Sequence, residues 1–164
     1  MLEWNRSTWM VDNLSRENRS KVMASIGGKN THPELIVRKL VWASGKRYRI
    51  HNRTVFGTPD LSNKKRKVAI FIDGCFWHGC KKCYKEPRSN IEFWRRKLAR
   101  NLQRRKEVTQ LLKDSGWNIL SFWEHEVLSD PQSVAAAICL KLWTKREARR
   151  SETTWEASLC LAKF

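Results

Sequence analysis

Two hydrophobic periods alternate along the chain. Leu35-Ile36-Val37 and Leu40-Val41 recur at the three-to-four spacing of one helical face, behind Thr31-His32-Pro33-Glu34, which has the form of a capping box. The pattern predicts an amphipathic helix that closes near Gly45. Arg47 to Asn52 alternates weakly, as a short strand would, and Gly57-Thr58-Pro59 reads as a turn before a second short strand opening at Asp60-Leu61. After the solvated turn Lys64-Lys65-Arg66, the run Lys67-Val68-Ala69-Ile70-Phe71-Ile72 is apolar enough for a central strand. A long helical pattern follows from about Ile91 to Lys113, with Trp94, Leu98, Leu102, Val108, Leu111 and Leu112 as its predicted buried stripe. Gly116 ends it, Trp117 to Trp123 reads as a strand, and Ser129-Asp130-Pro131 opens a last helix running to about Ala148. Residues 1–20 read as a mobile arm or marginal helix, 149–164 carry no period, and neither repeats nor low-complexity tracts occur. The order helix, three strands, helix, strand, helix predicts one α/β domain around a small mixed sheet.

Charge adds a partner to this picture. Lys and Arg number 33 against 16 acidic residues, for a formal charge of +17. Such an excess favours nucleic acid over an anionic membrane surface. Seven of the basic residues lie between 95 and 106, where there is no acid, so one face of the long helix is basic. No apolar run is long enough to span a membrane and no signal-peptide layout opens the chain, so a soluble, cytoplasmic protein is expected. Of five cysteines, three crowd between 75 and 83; in a reducing compartment that clustering favours a metal over disulfides. Cys139 and Cys160 stand apart as core or bystander residues.

Residues 71–83 concentrate the chemistry. Cys75, Cys80 and Cys83, at C-x4-C-x2-C spacing, offer three soft ligands, and a tetrahedral structural zinc wants a fourth. His78 in the loop and His125 beyond the last strand are the candidates; His125 is preferred, because a distant ligand staples the loop to the sheet and leaves His78 free. The alternative is three reduced thiols without metal. Asp60 follows Pro59 at a strand start and Asp73 ends the next strand, so hairpin pairing would bring two carboxylates together as ligands for Mg²⁺ in phosphodiester cleavage. Pro-Asp, then an acid, then x-Lys is the signature of PD-(D/E)xK nucleases; here Cys75 stands at the Lys position and His78 is expected to take over proton transfer. Glu34 reads equally as a capping residue or as a carboxylate facing the cleft. His32 and His51 are expected on the surface without partners.

The blocks Arg19-Ser20-Lys21-Val22-Met23, Thr31-His32-Pro33-Glu34, Tyr48-Arg49-Ile50-His51, Gly57-Thr58-Pro59-Asp60, Asp73-Gly74-Cys75-Phe76-Trp77-His78-Gly79-Cys80, Phe93-Trp94 and Trp123-Glu124-His125 resemble the very short patch repair endonucleases, the Vsr family. The resemblance runs from about Arg19 to Val127 and implies a PD-(D/E)xK restriction-endonuclease-like core and an enzyme that nicks double-stranded DNA beside the T of a T·G mismatch. The domain is expected over 19–148, between an arm (1–18) and a tail (149–164), as a monomer working with other mismatch-repair proteins. By the same resemblance Asp60 is the main Mg²⁺ ligand, with the Ile72 carbonyl at the second metal position. His78 is the acid/base residue, Glu34 a supporting carboxylate, and Asp73 lies close to the reacting phosphate. Cys75, Cys80, Cys83 and His125 fall on the zinc positions, and Phe76, Trp77 and Trp94 on the aromatic wedge. On the basic helix face, Arg95, Arg96, Arg100 and Asn101 are the expected DNA contacts. Three positions depart from the family's pattern: Thr58 replaces a basic residue, Leu61-Ser62-Asn63-Lys64 is polar where a strand usually continues, and Arg105 stands where aspartate is common. Two competing readings are a zinc-stabilised DNA-binding module without catalysis and a restriction-like defence nuclease of other specificity.

Overall fold

The computed structural model of the chain describes residues 27–142, together with Ser15, Glu17, Asn18 and Lys21. The expectations for Cys160, the C-terminal tail and the end of the last helix fall outside the described residues, as does most of the N-terminal arm. In order, the elements are α1 (His32–Ala43), β1 (Arg49–Ile50), β2 (Leu61–Asn63), a 3-10 turn (Lys64–Arg66), β3 (Val68–Asp73), α2 (Ile91–Asp114), β4 (Asn118–Trp123), α3 (Glu124–Ser129) and α4 (Pro131–Lys141).

The four strands form one sheet in the order β1-β2-β3-β4. β1–β2 and β2–β3 are antiparallel, and β3–β4 is parallel, so the sheet is mixed as expected. A parallel neighbour requires a crossover, and α2 supplies it. Along β3 the side chains alternate between two cores. Val68 and Ile70 face a cluster with Val37 and Val41 of α1, Val127 of α3 and Ile138 of α4, and Ile72 packs against it. Ala69 and Phe71 face Val108 and Leu112 of α2. Both faces of β3 are therefore covered, which is why its sequence is apolar throughout. Asp73, two residues beyond Phe71, inherits the α2 face.

Several local expectations change. The Thr31 hydroxyl makes no capping bond to backbone; it donates to Glu34 Oε1 at 2.9 Å. The buried stripe of α2 is narrower than its apolar residues suggest, because Leu102 is 39% and Leu111 46% exposed. β2 has three residues because Asn63 turns its side chain to the Arg66 N–H and starts the 3-10 turn. Helix α3 is too short to print a period in the sequence; it is set by Glu126, whose Oε2 accepts from the Trp123 N–H at 2.8 Å. Asp130 caps α4 through the Ser133 N–H. Among the described residues no helix is long and apolar enough to cross a membrane.

Candidate active site and metal centre

Parallel pairing of β3 with β4 puts Asp73 beside Trp123, so the residues two beyond each strand end, Cys75 and His125, emerge together. Cys80 and Cys83 come from the loop that follows, and the four donor atoms lie within 4.8 Å of one another. His125 Nδ1 is 3.3 Å from Cys75 Sγ and 3.6 Å from Cys80 Sγ. A tetrahedral zinc with Zn–S near 2.3 Å and Zn–N near 2.0 Å separates sulfur from nitrogen by about 3.5 Å, so this donor set fits that ion. Burial pushes the metal-free Cys75 thiol up to about 12, which a cation would reverse. The Cys75 N–H donates to Glu124 Oε2, tying the loop to α3 a second time. It is His125, not His78, that joins the cysteines.

On the other side of the loop stand the carboxylates. Asp60 lies at the mouth of β2, and its Oδ2 accepts from the Ile72 N–H of β3 at 2.8 Å. Burial raises Asp60 to about 6, against the pull of that N–H, and the nearby Glu34 and Asp73 charges add to the rise. Asp73 Oδ1 faces His78 Nε2 at 3.8 Å, and Oδ2 accepts from Arg105 Nη2 at 2.8 Å. Burial lowers the pKa of His78; Asp73 opposes the shift and Arg105 reinforces it. Thr58, at the first departure, adopts φ +49°, an unusual conformation for a β-branched residue, in the turn that delivers Asp60. The preceding Gly57 touches α2 so closely that a Cβ would fall 2.3 Å from Val108 Cγ1, so this turn is pressed onto the helix.

Glu34 is buried, and its oxygens accept from the Asn30 N–H, the Thr31 hydroxyl and Arg38 Nη2. His51 is not the partnerless surface residue the sequence suggests. Its Nε2 lies 2.9 Å from Arg38 Nη2, and its ring also faces Glu34 and Asp60. Burial first, and then Arg38, lowers its pKa. The weak alternation of 47–52 is too short to show which of its residues turn inward, so His51 escapes a reading by pattern, and Arg38, a buried arginine on α1, is passed over because it interrupts a mostly apolar face. His32 is exposed, as expected.

Phe76, Trp77 and Trp94 pack on one another, with ring centroids 5.2 to 6.0 Å apart, and Lys97 lies 4.7 Å over Trp77. Tyr84 and Phe93 extend the cluster; Tyr84 does not stand out in the sequence. Asn101 anchors it by donating to the Trp77 carbonyl. Along α2, Arg96 and Arg100 are exposed, whereas Arg95 is committed to Glu86 through two hydrogen bonds. An open cleft of about 560 Å³ runs beside this face, lined in part by Phe56, Arg100, Asn101 and Arg104.

Carboxylates and an imidazole stand beside an arginine-rich helix, an arrangement whose charges suit a polyanionic partner such as DNA. Residues 11–85 match the family model for the DNA mismatch endonuclease Vsr. The chain is 45% identical over 131 residues to the type II nicking enzyme V.HpaIIP of Haemophilus parainfluenzae, covering 78% of this chain and 93% of that protein. It is 44% identical over 130 residues to the type II nicking enzyme V.NmeDIP of Neisseria meningitidis serogroup C, covering 78% and 88%. To the DNA mismatch endonuclease Vsr of Escherichia coli it is 32% identical over 117 residues, covering 70% and 74%. The chain belongs to the Vsr family of DNA endonucleases.

Proposed function

We propose that the protein nicks one strand of duplex DNA beside the T of a T·G mismatch, the lesion left when 5-methylcytosine deaminates, and so starts very short patch repair. The observation that carries this reading is a juxtaposition at the end of β3: Phe76 and Trp77, packed against Trp94 of α2, share a loop with His78, whose ring faces Asp73. Stacking side chains next to hydrolytic groups suit an enzyme that tests the base stack where it cuts. Unstacking a step costs a few kcal/mol, and less where pairing is already poor, which favours a mismatch.

Asp60 and the Ile72 carbonyl would hold a Mg²⁺ ion. Such an ion, when bound, supplies positive charge to the attacking and leaving oxygens. The chain's own residues do the rest. The Ile72 N–H fixes one Asp60 oxygen and leaves the other free. His78, kept neutral by burial, is suited to take a proton at a ring nitrogen, with Asp73 orienting the ring. Arg96 and Arg100 contact phosphates, which positions the duplex without reading its sequence. Cys75, Cys80, Cys83 and His125 would hold zinc with a structural role, keeping the wedge and His78 at a set distance from Asp60.

A second reading has its own support. The two relatives above 40% identity are named type II nicking enzymes, which favours a nickase of another sequence context. One assay separates the readings. Wild type and Asp60→Asn are incubated with Mg²⁺ and matched or T·G-mismatched duplexes, in CTWGG-like and unrelated contexts. Strand nicking confined to the mismatch and lost in Asp60→Asn is expected. Equal cutting of matched DNA would favour a defence nuclease, and no cutting at all a binding module.

A further inference from the structure

We infer that Arg38 and His51 form a positioning pair for Asp60: Arg38 holds the imidazole in the tautomer whose proton is on Nδ1, and that N–H faces the Asp60 carboxylate. The inference rests on the reading that Asp60 holds the catalytic cation.

Arginine has five N–H donors and no acceptor. Arg38 spends Nη1 on Asn30 Oδ1 at 2.6 Å, and Nη2 faces both Glu34 Oε2 at 2.6 Å and His51 Nε2 at 2.9 Å. The last contact is favourable only if Nε2 presents a lone pair. A neutral imidazole then carries its hydrogen on Nδ1.

Backbone pairing sets where that hydrogen points. The His51 N–H donates to the Asp60 carbonyl at 3.3 Å, which carries the β1–β2 ladder one residue further and sets His51 against Asp60. Ring Nδ1 is 3.9 Å from Asp60 Oδ1, a gap that a bridging water or a small ring rotation closes. The Ile72 N–H already holds Oδ2. Once that gap is closed, the two Asp60 oxygens face donors from two different strand regions, which would hold the plane of the carboxylate.

Glu34, His51 and Asp60 could instead be taken for a three-ligand metal site, since their donor atoms lie within 4.8 Å of one another. The hydrogen bonds argue against it. Both Glu34 oxygens are engaged, by Asn30 and Arg38 on one side and Thr31 on the other. The lone pair of His51 is engaged by Arg38. Asp60 Oδ1 accepts no direct hydrogen bond among the described residues, and a carboxylate oxygen has two lone pairs, so it can take a cation on one while the His51 ring faces the other.

Two variants test this in the full-length protein. His51→Asn keeps an N–H donor near the position of Nδ1, and asparagine tolerates the φ of +41° found there. His51→Ala removes the donor. Mn²⁺ affinity, measured by calorimetry without turnover, should fall about tenfold or more in His51→Ala and stay within about threefold of wild type in His51→Asn. Nitrogen-15 spectra of the His51 ring should show Nδ1–H before and after Mg²⁺ is added. An Nε2–H tautomer, unchanged affinity in His51→Ala, or loss of the Nδ1 proton on Mg²⁺ binding would each overturn the inference, the last by making His51 a ligand. Wild-type protein that binds no Mn²⁺, or binds it as tightly after Asp60→Asn, overturns the inference together with the role of Asp60. A wild type that binds the cation through Asp60 yet nicks no duplex overturns only the proposed function.

Discussion

Arg105 reaches from α2 to Asp73, with Nη2 2.8 Å from Oδ2, while the other oxygen of Asp73 faces His78 at 3.8 Å. The same guanidinium lies 4.1 Å over the Phe71 ring and also donates to the Ser121 hydroxyl. Arg105 is therefore no idle departure from the family's pattern. It neutralises Asp73 and fixes which oxygen is turned to the imidazole. Arg105→Gln should lower the single-turnover nicking rate about tenfold or more while leaving duplex affinity within a few-fold, because alignment rather than binding is lost. Arg105→Lys keeps the charge but not the planar fork and should recover the rate only in part. Wild-type rates in Arg105→Gln would remove Arg105 from the site.

Asp60 should trade stability for function. Its pKa is raised to about 6, above the unfolded value near 3.8. Between those values the folded state holds more protons than the unfolded state, so folding stability falls as pH rises through that window. At pH 7.5 the ionised carboxylate thus opposes folding, by on the order of 2–3 kcal/mol at most, since a tenfold change in acidity corresponds to about 1.4 kcal/mol. Asp60→Asn keeps an acceptor for the Ile72 N–H and removes the charge. It should abolish nicking yet melt higher than wild type in magnesium-free buffer at pH 7.5, with the gain gone by about pH 4. A variant that melts lower at both pH values would contradict this electrostatic account.

The Cys75, Cys80, Cys83 and His125 cluster should behave as part of the fold. Purified protein is expected to carry one zinc per chain by elemental analysis, since the donor set fits that ion. Cys80→Ser or His125→Ala should lose the metal and lower the melting temperature by several degrees, because binding energy at a structural site is folding energy. Activity should fall with it, as the loop between Gly74 and Tyr84 carries His78 together with Phe76 and Trp77. Wild-type protein with clearly less than one zinc per chain would leave a thiol cluster without metal.

Much of this site was legible from residue chemistry, and the remainder depended on facing. Thiols declare themselves by spacing, and two acids at adjoining strand ends meet once β2 and β3 pair as a hairpin. β3 is apolar because both faces are covered, so its place in the sheet was readable too. The partners of Asp73 and Asp60 were not. Trp94, Leu98, Asn101, Arg105, Val108 and Leu112 follow one another at three-to-four spacing down α2, so two polar residues stand on its inward line. A search for apolar residues alone skips them and takes Leu102 and Leu111, which are exposed. The signal was present as polar residues interrupting a stripe. For His51 no such stripe existed, since β1 has only two residues.

The aromatic cluster should contribute to discrimination more than to cutting. Trp77→Ala and Trp94→Ala should reduce the preference for mismatched over matched duplex by about 5- to 150-fold, the range expected when one stacking contact of about 1–3 kcal/mol is lost. Because the rings also pack on one another, some loss of stability is expected as well. The ratio of the two affinities, measured on the same folded preparation, removes that contribution. An unchanged ratio would assign the cluster to the core.

The basic face of α2 makes a prediction about salt. Each phosphate contact contributes about 0.9 to the slope of log affinity against log salt on duplex DNA. Arg100→Gln and Arg104→Gln, beside the open cleft, should each lower that slope by about one and weaken matched and mismatched duplexes alike. Arg95 is held by both oxygens of Glu86 at 2.6 and 3.1 Å, so part of its charge is already answered within the protein. Arg95→Gln should change the slope by clearly less than one. Equal slopes for the Arg95 and Arg100 variants would mean that DNA breaks the Glu86 pair on binding; no change for Arg100 would place the duplex on another face.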